Sequence, residues 1–240
     1  MGGKRGKSES AGTGKRLEGT LFGRRKSRPL RKLQAEIHAR LLPELVIDIG
    51  KAAPGELGAL FPGLKKDFCL EIGFGGGEHL AERAISNPET GFIGCEPFIN
   101  GMAKLLAKID AEAISNIRVF DRDAGLLLSW LPEQSLAQVD LLYPDPWPKK
   151  RHLKRRFVNK ENLEQMHRVL LKGGEFRFAS DIEDYVQWTL DNVASHGGFV
   201  WETDLTSKKD IPWEGWYSTR YETKAIREGR KPAYLVFRRK

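Results

Sequence analysis

The sequence is poor in cysteine, in clustered histidine and in long apolar runs. Among its 240 residues there are two cysteines and five histidines. Cys69 and Cys95 lie inside apolar stretches without the spacing of metal ligands, so we expect both to be buried, reduced thiols. The histidines are scattered along the chain, which argues against a structural or catalytic metal. The sequence therefore predicts neither a disulfide framework nor a metal centre.

Membrane and secretion signals are also missing. No apolar run approaches the roughly 18 residues that a membrane-spanning helix needs. The first residues are rich in Lys, Gly and Ser and lack the apolar core of a signal peptide. These absences predict a cytoplasmic protein with no membrane partner. The length of the chain suits one α/β domain preceded by a tail.

The positive charge is concentrated in two segments. Residues 1–34 hold eleven Lys and Arg against Glu9 and Glu18, a balance of +9 that leaves −1 of the total +8 for residues 35–240. Residues 149–160, KKRHLKRRFVNK, add seven Lys and Arg and no acid. Two basic segments on a neutral body favour a polyanionic partner. We predict a basic arm over residues 1–34, disordered without RNA, and a domain over residues 35–240; an inert, solvated extension is the alternative for the arm.

Short β-branched or aromatic runs alternate with longer helical patterns along the domain. Strands are predicted at residues 67–72, 91–95, 117–120, 139–143, 175–179, 199–203 and 233–238. Helices are predicted at residues 33–45, 78–86, 99–112, 125–130, 159–170 and 182–195, with Pro43 expected to end or kink the first. This alternation predicts an α/β fold with right-handed crossovers and a mostly parallel sheet, with helices on both faces.

A glycine-rich turn follows the first predicted strand. In CLEIGFGGGEHL the strand ends at Ile72, and Gly73, Gly75 and Gly77 precede the next helix. Glycine is required where a backbone turns tightly under a ligand, although an ordinary flexible turn has the same composition. Glu96, about 20 residues farther on in FIGCEP, has the spacing of an acid that holds ribose hydroxyls. The combination favours a nucleotide-like ligand.

Two further acids belong to the same predicted edge of the sheet. Glu71 lies beside the glycine turn, where it could meet the ammonium of a methionine moiety. Asp123 follows the third strand and could accept a hydrogen bond from an adenine amino group, or it could cap the next helix. These carboxylates would repel a pyrophosphate but suit a zwitterionic sulfonium cofactor, so we expect S-adenosyl-L-methionine rather than a dinucleotide.

The segment after the fourth strand reads LLYPDPWPKKRHLKRR. Pro144, Pro146 and Pro148 remove backbone donors and stiffen the loop, which would hold Asp145 and Trp147 above the sheet edge. A plain polyproline-like surface turn is the alternative. The functional interpretation places Asp145 against a target base, with Trp147 packing near it and residues 149–156 along phosphates.

LEIGFGGG, the acid of FIGCEP, the RDA around Asp123, YPDPWPKKRHLKRR, ASDIEDY and STRYE together resemble the bacterial tRNA (guanine-N7-)-methyltransferases. The resemblance covers roughly residues 68–221, and its most specific part is PDPW followed by KxRHxKRR. It implies a class I, Rossmann-like methyltransferase fold with a seven-stranded sheet closed by an antiparallel pair. It also implies methyl transfer from S-adenosyl-L-methionine to N7 of guanine, at position 46 in the variable loop of tRNA.

The resemblance assigns roles to individual residues. Asp145 would be the catalytic residue and, with the acids and the glycine turn, would contact the cofactor: Glu71, Gly73, Gly75, Gly77, Glu96 and Asp123. Substrate contacts would come from Lys149, Asp181, Thr219, Arg220, Tyr221 and Glu222, although Asp181 could instead cap the following helix. RNA contacts would come from Arg151, His152, Leu153, Lys154, Arg155 and Arg156. The implied partner is tRNA, with no metal, and the protein would be a monomer or a homodimer.

Three departures from the commonest family pattern affect fine geometry only. Pro148 stands where a histidine is frequent, and Arg220 and Tyr221 stand where Lys and Phe are frequent. Two other functions compete with this interpretation. An amino-methyltransferase acting on adenine or cytosine would carry an acid or amide followed by two prolines and an aromatic residue, which is not the order found here. A non-catalytic RNA-binding module would be expected to lose the glycines or the strand-end acids.

Overall fold

A computed structural model of the protein describes residues 27–61, 63, 66–202 and 209–240. The predicted disorder of residues 1–26 lies outside this range. Residues 27–31 contact the domain, because the Ser27 N–H donates to Asn100 Oδ1 at 2.9 Å and the Asn100 amide donates to the Arg28 carbonyl at 2.8 Å. The first helix begins at Lys32, so the predicted boundary between arm and domain at residue 34 falls inside that helix.

The described residues form a seven-stranded sheet with helices between the strands. The strands are β1 (Phe68–Ile72), β2 (Gly91–Cys95), β3 (Ile117–Phe120), β4 (Leu136–Leu142), β5 (Leu170–Ser180), β6 (Phe199–Trp201) and β7 (Ala233–Arg239). The helices are α1 (Lys32–Leu45), α2 (Glu78–Ser86), α3 (Ile99–Ala111), α4 (Ala124–Trp130), α5 (Lys160–Val169), α6 (Glu183–His196) and α7 (Arg220–Arg227). Two 3-10 turns span Leu57–Leu60 and Lys150–Arg155.

The strand order is β3-β2-β1-β4-β5-β7-β6. Strands β1 to β5 pair in parallel, whereas β7 pairs antiparallel with both β5 and β6. The mostly parallel sheet and the antiparallel closing pair are therefore confirmed. The order reverses between β1 and β4, and in open α/β sheets the carboxyl ends of the strands around such a point form the ligand crevice.

Alternate residues of the inner strands point to opposite faces and enter different cores. On one face Leu70 and Ile93 pack with residues of α4, α5 and α6. On the other face Cys69 and Phe92 pack with residues of α1, α2 and α3. Because helices cover both faces, these strands can be apolar almost throughout, as is typical of parallel sheets.

Two features of the fold differ from the prediction. Helix α7 was not predicted, because RYETKAIR is strongly charged and places few apolar residues on its inner face. Strand β5 begins at Leu170, directly after α5, and reaches residue 175 through an irregularity opposite Leu136 and Gln138. Pro43 lies within α1, which ends two residues later at Leu45, the predicted end of this helix.

Both cysteines are free and buried, as predicted. Burial raises the pKa of the Cys69 thiol to about 11, so this thiol stays protonated at neutral pH. Among the described residues, no helix has the length and apolar character needed to cross a bilayer. Within the same residues, no three His, Cys, Asp or Glu side chains are grouped so that they could hold a metal ion.

Candidate active site

A cleft of about 1110 Å³ opens at the carboxyl edge of the sheet. One wall is formed by the glycine turn after β1 and by Glu96 after β2. The loop after β4 forms the opposite wall, and Asp123 lies between them at the start of α4. The cleft thus joins the glycine turn to the proline-rich loop, the two motifs that carry the predicted chemistry.

The glycine turn adopts a backbone that side chains disfavour. Gly73, Gly75 and Gly77 all have positive φ, at 73°, 59° and 76°. A Cβ on Gly77 would lie 2.7 Å from the Leu105 side chain, whereas a Cβ on Gly73 would meet nothing within 4 Å. Gly73 therefore borders open space in the cleft. Gly77 does not line the cleft and instead lets the turn pack against α3.

Gly101 supports the same turn and was missed in the sequence. It lies in the first turn of α3, and a Cβ there would approach the Gly75 carbonyl oxygen to 2.1 Å. Helical propensity alone would favour alanine at this position. Only the close packing of α3 under the glycine turn explains the residue.

Glu96 ties the glycine turn to the end of β2. Its Oε2 accepts from the Gly75 N–H at 2.8 Å and its Oε1 accepts from the Phe98 N–H at 2.9 Å. Burial raises the pKa of the Glu96 carboxyl, and the two backbone donors oppose that shift. A carboxylate oxygen has two lone pairs, so each oxygen keeps one acceptor position for a ligand. Glu96 lines the cleft, as expected for a cofactor contact.

Asp123 combines the two roles considered for it. Its side chain accepts from the Gly125 N–H at 2.9 Å and so caps α4. It also lines the cleft beside Glu96. Capping occupies one carboxylate oxygen and leaves the other free for a ligand.

Glu71 does not line the cleft. It is 3% exposed and its Oε2 lies 2.8 Å from His79 Nδ1, in the first turn of α2. His79 is 2% exposed, and its ring lies 5.1 Å from that of Trp216. The expected contact between Glu71 and a methionine ammonium stays a prediction, and the pairing of this buried acid with His79 does not favour it.

The proline-rich loop projects Asp145 into the cleft as an exposed carboxylate. Trp147 lies beside it with φ at 42°, and Tyr143 precedes it with φ at 49°. Both values are unusual for large side chains and indicate that surrounding contacts hold the loop in place. The Arg155 guanidinium lies 4.9 Å from the Trp147 ring centroid, and the His152 ring lies edge-on at 5.8 Å.

The basic segment after the loop presents most of its charge to solvent. Lys149, Arg151 and Lys154 are exposed, while His152, Leu153 and Arg155 are partly covered. Desolvation lowers the pKa of His152, and the neighbouring cations Arg155, Arg151 and Lys149 lower it further. Such crowding of positive charge is what a polyanion would relieve.

Arg156 differs from the residues grouped with it. It contributes to the lining of the cleft, but it is 1% exposed and its guanidinium is engaged with protein groups. The RNA contact that the resemblance implies for this residue stays a prediction, and its burial does not favour that contact. The basic run alone could not distinguish it from its neighbours, because its burial depends on α6, which arrives from farther along the chain.

The segment STRYE forms the start of α7 and lies over the glycine turn. Thr219 caps the helix by accepting from the Glu222 N–H at 3.1 Å. A Cβ on Gly75 would lie 3.2 Å from the Tyr221 ring and 3.3 Å from an Arg220 guanidinium nitrogen. Tyr221 lines the cleft. These positions bring Arg220 and Tyr221 to the predicted cofactor side rather than to the base side.

Glu222 and Asp181 are both engaged within the protein. Glu222 is 4% exposed; it accepts from Trp216 Nε1 at 3.0 Å and from the Tyr234 hydroxyl. Asp181 forms an ion pair with Arg230. The N-cap of α6 is Ile182, so the capping alternative for Asp181 is wrong. Neither acid lines the cleft, so the structure does not favour the substrate contacts predicted for them, which stay predictions.

The cleft has the features that an S-adenosyl-L-methionine molecule requires. It has an open glycine surface at Gly73, a buried acid with spare acceptor positions at Glu96, and a second acid at Asp123. The Arg220 guanidinium lies at the glycine end, where a carboxylate would need a cation. The residues present therefore fit this cofactor.

Comparison with known proteins supports the same chemistry. Residues 65–235 match the model of a family described as putative methyltransferase. The tRNA (guanine-N(7)-)-methyltransferase of Agrobacterium fabrum is 57% identical over 220 residues, covering 92% of this chain and 95% of the relative. The enzyme of the same name from Rhizobium meliloti is 54% identical over 226 residues, covering 94% and 97%.

Solved structures share the fold at low identity. A 16S rRNA methyltransferase, KamB, superposes with a TM-score of 0.56 at 17% identity, covering 79% of this chain and 94% of the other. The aminoglycoside resistance methyltransferase NpmB1 gives a TM-score of 0.50 at 16% identity, covering 74% and 89%. At this level of identity the likeness establishes the methyltransferase fold alone.

Proposed function

Because the chain belongs to the tRNA (guanine-N7-)-methyltransferases, we propose that it transfers a methyl group from S-adenosyl-L-methionine to N7 of a guanine in tRNA. The product is N7-methylguanosine. The observation that carries the proposal is the shared cleft in which Glu96 and the glycine turn face Asp145 of the proline-rich loop. By resemblance to the family, the target is the guanine at position 46 in the variable loop.

The cofactor would lie across the glycine end of the cleft. When bound, S-adenosyl-L-methionine supplies an electrophilic methyl group whose transfer to N7 returns the electron pair of the broken carbon–sulfur bond to sulfur. Glu96 would accept hydrogen bonds from the ribose hydroxyls, and Asp123 would accept one from the adenine amino group. Gly73 and Gly75 would admit the methionine moiety, and Arg220 would pair with its carboxylate.

The target base would enter beside the proline-rich loop. Asp145 would accept hydrogen bonds from guanine N1–H and the exocyclic amine, a donor pair that adenine lacks. Its negative charge would also stabilise the positive charge that spreads over the ring as N7 is methylated. Trp147 would pack against the base, and Lys149 would contact the nearby backbone. Asp181 is not assigned this role because Arg230 already pairs with it.

This reaction needs no general base to generate the nucleophile. Guanine N7 carries an in-plane lone pair and no proton, so the protein contributes mainly alignment of N7 with the methyl group. Holding two reactants in line can supply about 7–11 kcal/mol of a barrier. The stiff loop that holds Asp145 suits this task, because small displacements of a positioning group reduce rates strongly.

The proposal is tested by incubating the protein with tRNA and methyl-labelled S-adenosyl-L-methionine and identifying the nucleosides by mass spectrometry. Label in N7-methylguanosine is expected. Label in a methylated adenine or cytosine would point to an amino-methyltransferase, and tRNA binding without label would point to a non-catalytic module. Either result would contradict the proposal.

Replacing the loop acid tests its assigned role. Asp145→Ala should lower the single-turnover rate at least about tenfold, because placement of the base is lost, while cofactor affinity stays close to that of the wild type. Glu133→Ala removes an exposed carboxylate outside the cleft and is the matched control. A wild-type rate in Asp145→Ala would show that this residue does not act on the base.

A further inference from the structure

Arg156 is the largest fully buried side chain among the described residues, although it lies in the most basic part of the domain. Burying a guanidinium away from water costs several kcal/mol unless partners satisfy it. Its neighbours in sequence remain exposed or partly exposed. The burial of Arg156 therefore needs an explanation other than attraction to phosphates.

Its partners connect two separate elements. The Arg156 Nε donates to the Pro146 carbonyl at 2.9 Å. A terminal nitrogen pairs with the carboxylate of Asp184 in the first turn of α6, and the other lies 3.4 Å from the Asp184 carbonyl. The guanidinium carbon lies 4.8 Å from the Tyr185 ring centroid and 5.2 Å from that of Trp188.

The Pro146 carbonyl is the decisive contact. Pro146 lies between Asp145 and Trp147, and as a proline it has no N–H with which to anchor the loop. Its carbonyl remains available as an acceptor, and Arg156 holds the middle of the loop through it. Trp147 adopts a left-handed conformation with φ at 42°, which persists only when surrounding contacts impose it.

The chain that follows Arg156 is anchored to α6 by other contacts. The Tyr185 hydroxyl accepts from the Phe157 N–H at 3.0 Å, and Tyr185 itself is fully buried. Trp188 Nε1 donates to the Val158 carbonyl at 2.6 Å. The chain just after Arg156 is thus fixed to α6, which makes the guanidinium a rigid support for the loop.

We propose that Arg156 is a positioning residue that holds the proline-rich loop, and with it Asp145 and Trp147, in the geometry required for methyl transfer. It acts through the Pro146 carbonyl and does not contact RNA. The basic segment then has two functions: its exposed cations attract tRNA, while Arg156 supports the loop from inside. This inference rests on the proposed methyl transfer to guanine.

The test uses Arg156→Lys in the full chain, with Arg168→Lys as matched control. Lysine keeps the charge but cannot donate to three partners in the planar geometry of arginine. Arg168 also donates its guanidinium to carbonyls, those of Leu128 and Leu131, but at the end of α4 rather than at the loop. Both variants should lose thermal stability, so any difference in turnover between them reports on the loop.

We expect Arg156→Lys to lower kcat at least about tenfold at saturating cofactor and tRNA, with the Kd for S-adenosylhomocysteine within about twofold of wild type. Arg168→Lys should keep wild-type kcat. The dependence of log tRNA affinity on log salt should be unchanged in Arg156→Gln, which removes the charge, because a buried guanidinium contributes no phosphate interaction. These three measurements separate loop positioning from general stability and from RNA binding.

In Arg156→Gln, a salt slope reduced by about 0.7–0.9, the value of one phosphate interaction, together with preserved kcat in Arg156→Lys, would identify Arg156 as an RNA-binding residue and overturn the proposal. Equal kcat in the two lysine variants would show that Arg156 only stabilises the fold. This result would also overturn the proposal. The wild-type product analysis is independent of either outcome, so failure of the methylation assignment is recognised separately.

Asp184→Asn provides a second test if Arg156→Lys does not fold. The Asp184 side chain is 72% exposed, so replacement with asparagine should leave the fold intact. Loss of its charge should loosen Arg156 and lower kcat by about two- to fivefold without changing affinity for S-adenosylhomocysteine. An unchanged kcat in a folded Asp184→Asn protein would contradict the role of the pair.

Discussion

Individual acidic residues of this protein have similar sequence contexts but different environments. Glu71 and Glu96 each lie near the end of a parallel strand, yet Glu71 is satisfied by His79 whereas Glu96 accepts two backbone N–H donors at the edge of the cleft. Asp145 is exposed on a stiff loop. A carboxylate becomes useful to a ligand only where its own protein partners leave acceptor positions free.

The raised pKa of Glu96 has a consequence for stability. Because its pKa in the folded protein lies above the ordinary 4.5, the folded state holds the proton more tightly than the unfolded state. This contribution is fully present below about pH 4.5 and is lost as pH rises through the folded pKa. The wild type should therefore gain stability relative to Glu96→Gln as pH falls from 7 towards 4.5.

Urea unfolding of both proteins without cofactor, across this pH range, measures the difference. A gap between the two free energies of unfolding that does not change with pH would show that Glu96 is not desolvated in solution. The same variant should bind S-adenosylhomocysteine more weakly at pH 7.5, by about 1.5–3 kcal/mol, the scale of a hydrogen bond to a charged group.

Arg220 gives a second prediction for a single residue. If its guanidinium pairs with the cofactor carboxylate, Arg220→Met should weaken S-adenosylhomocysteine binding by roughly 10- to 100-fold, as expected when a charge-assisted hydrogen bond is removed. Affinity for 5′-methylthioadenosine, which lacks the amino-acid group, should stay within about twofold. Lys224→Met, on the same helix and paired with Glu228, is the control.

Calorimetry with both ligands distinguishes the alternatives. Equal weakening of the two ligands in Arg220→Met would mean that the residue shapes the glycine turn rather than binding the carboxylate. Unchanged affinity for both ligands would indicate that Arg220 contacts the base or the RNA instead, as the family resemblance implies.

At the scale of elements, the 3-10 turn Lys150–Arg155 divides the basic segment. With three residues per turn it places Arg151 and Lys154 on one exposed side, while Arg155 packs on Trp147; Lys149, just before the turn, is also exposed. In the sequence alone these residues form a single basic run. The turn decides which cations can meet phosphates.

Reversing the exposed charges should therefore affect RNA binding without unfolding the protein. The variant Lys149→Glu, Arg151→Glu, Lys154→Glu should weaken tRNA binding and flatten the log–log salt dependence by roughly 0.7–0.9 for each phosphate interaction that it removes. Lys172→Glu, an exposed charge at the opposite edge of the sheet, is the control. Filter binding at four salt concentrations is sufficient; a parallel shift without a change of slope would mean that these residues do not bind phosphates.

At the scale of the whole molecule, a domain with its cleft at one sheet edge is preceded by a strongly basic N-terminal segment. Residues 1–26 contain eight Lys and Arg and two acids. Ser27 and Arg28 contact Asn100 and the following residues lead into α1, so deletion should stop at residue 26 to leave the domain intact. We propose that the segment attracts phosphates without fixing the geometry of the cleft.

Deletion of residues 1–26 should raise KM for tRNA and leave saturated turnover nearly unchanged. A full-length variant with those eight basic residues replaced by serine should behave like the deletion, because charge and not length is responsible. Steady-state kinetics across salt concentrations measures both quantities. An unchanged KM and salt slope would make the segment an inert extension, whereas a collapse of saturated turnover would mean that it reaches the cleft.

Patterns along the sequence were enough to indicate the fold class and the chemistry. Alternating apolar strands and amphipathic helices require crossovers onto a largely parallel sheet, and they located β1 to β5 to within a few residues apart from the early start of β5. The glycine turn, Glu96 and PDPW can each be recognised from the residues close to them in the sequence. They were sufficient to indicate a methyltransferase and its family.

Only the tertiary structure decided which of the similar side chains reach the cleft. Burial and hydrogen-bond partners depend on elements that meet after crossovers, and no local period encodes them. Arg156 is buried because α6 returns beside the loop, and Gly101 is required because α3 passes under Gly75. Arg220 meets the glycine turn because α7, near the far end of the chain, folds back over that turn. The charges and their spacing could be predicted from the sequence. The partner of each charge depends on how the helices and strands pack.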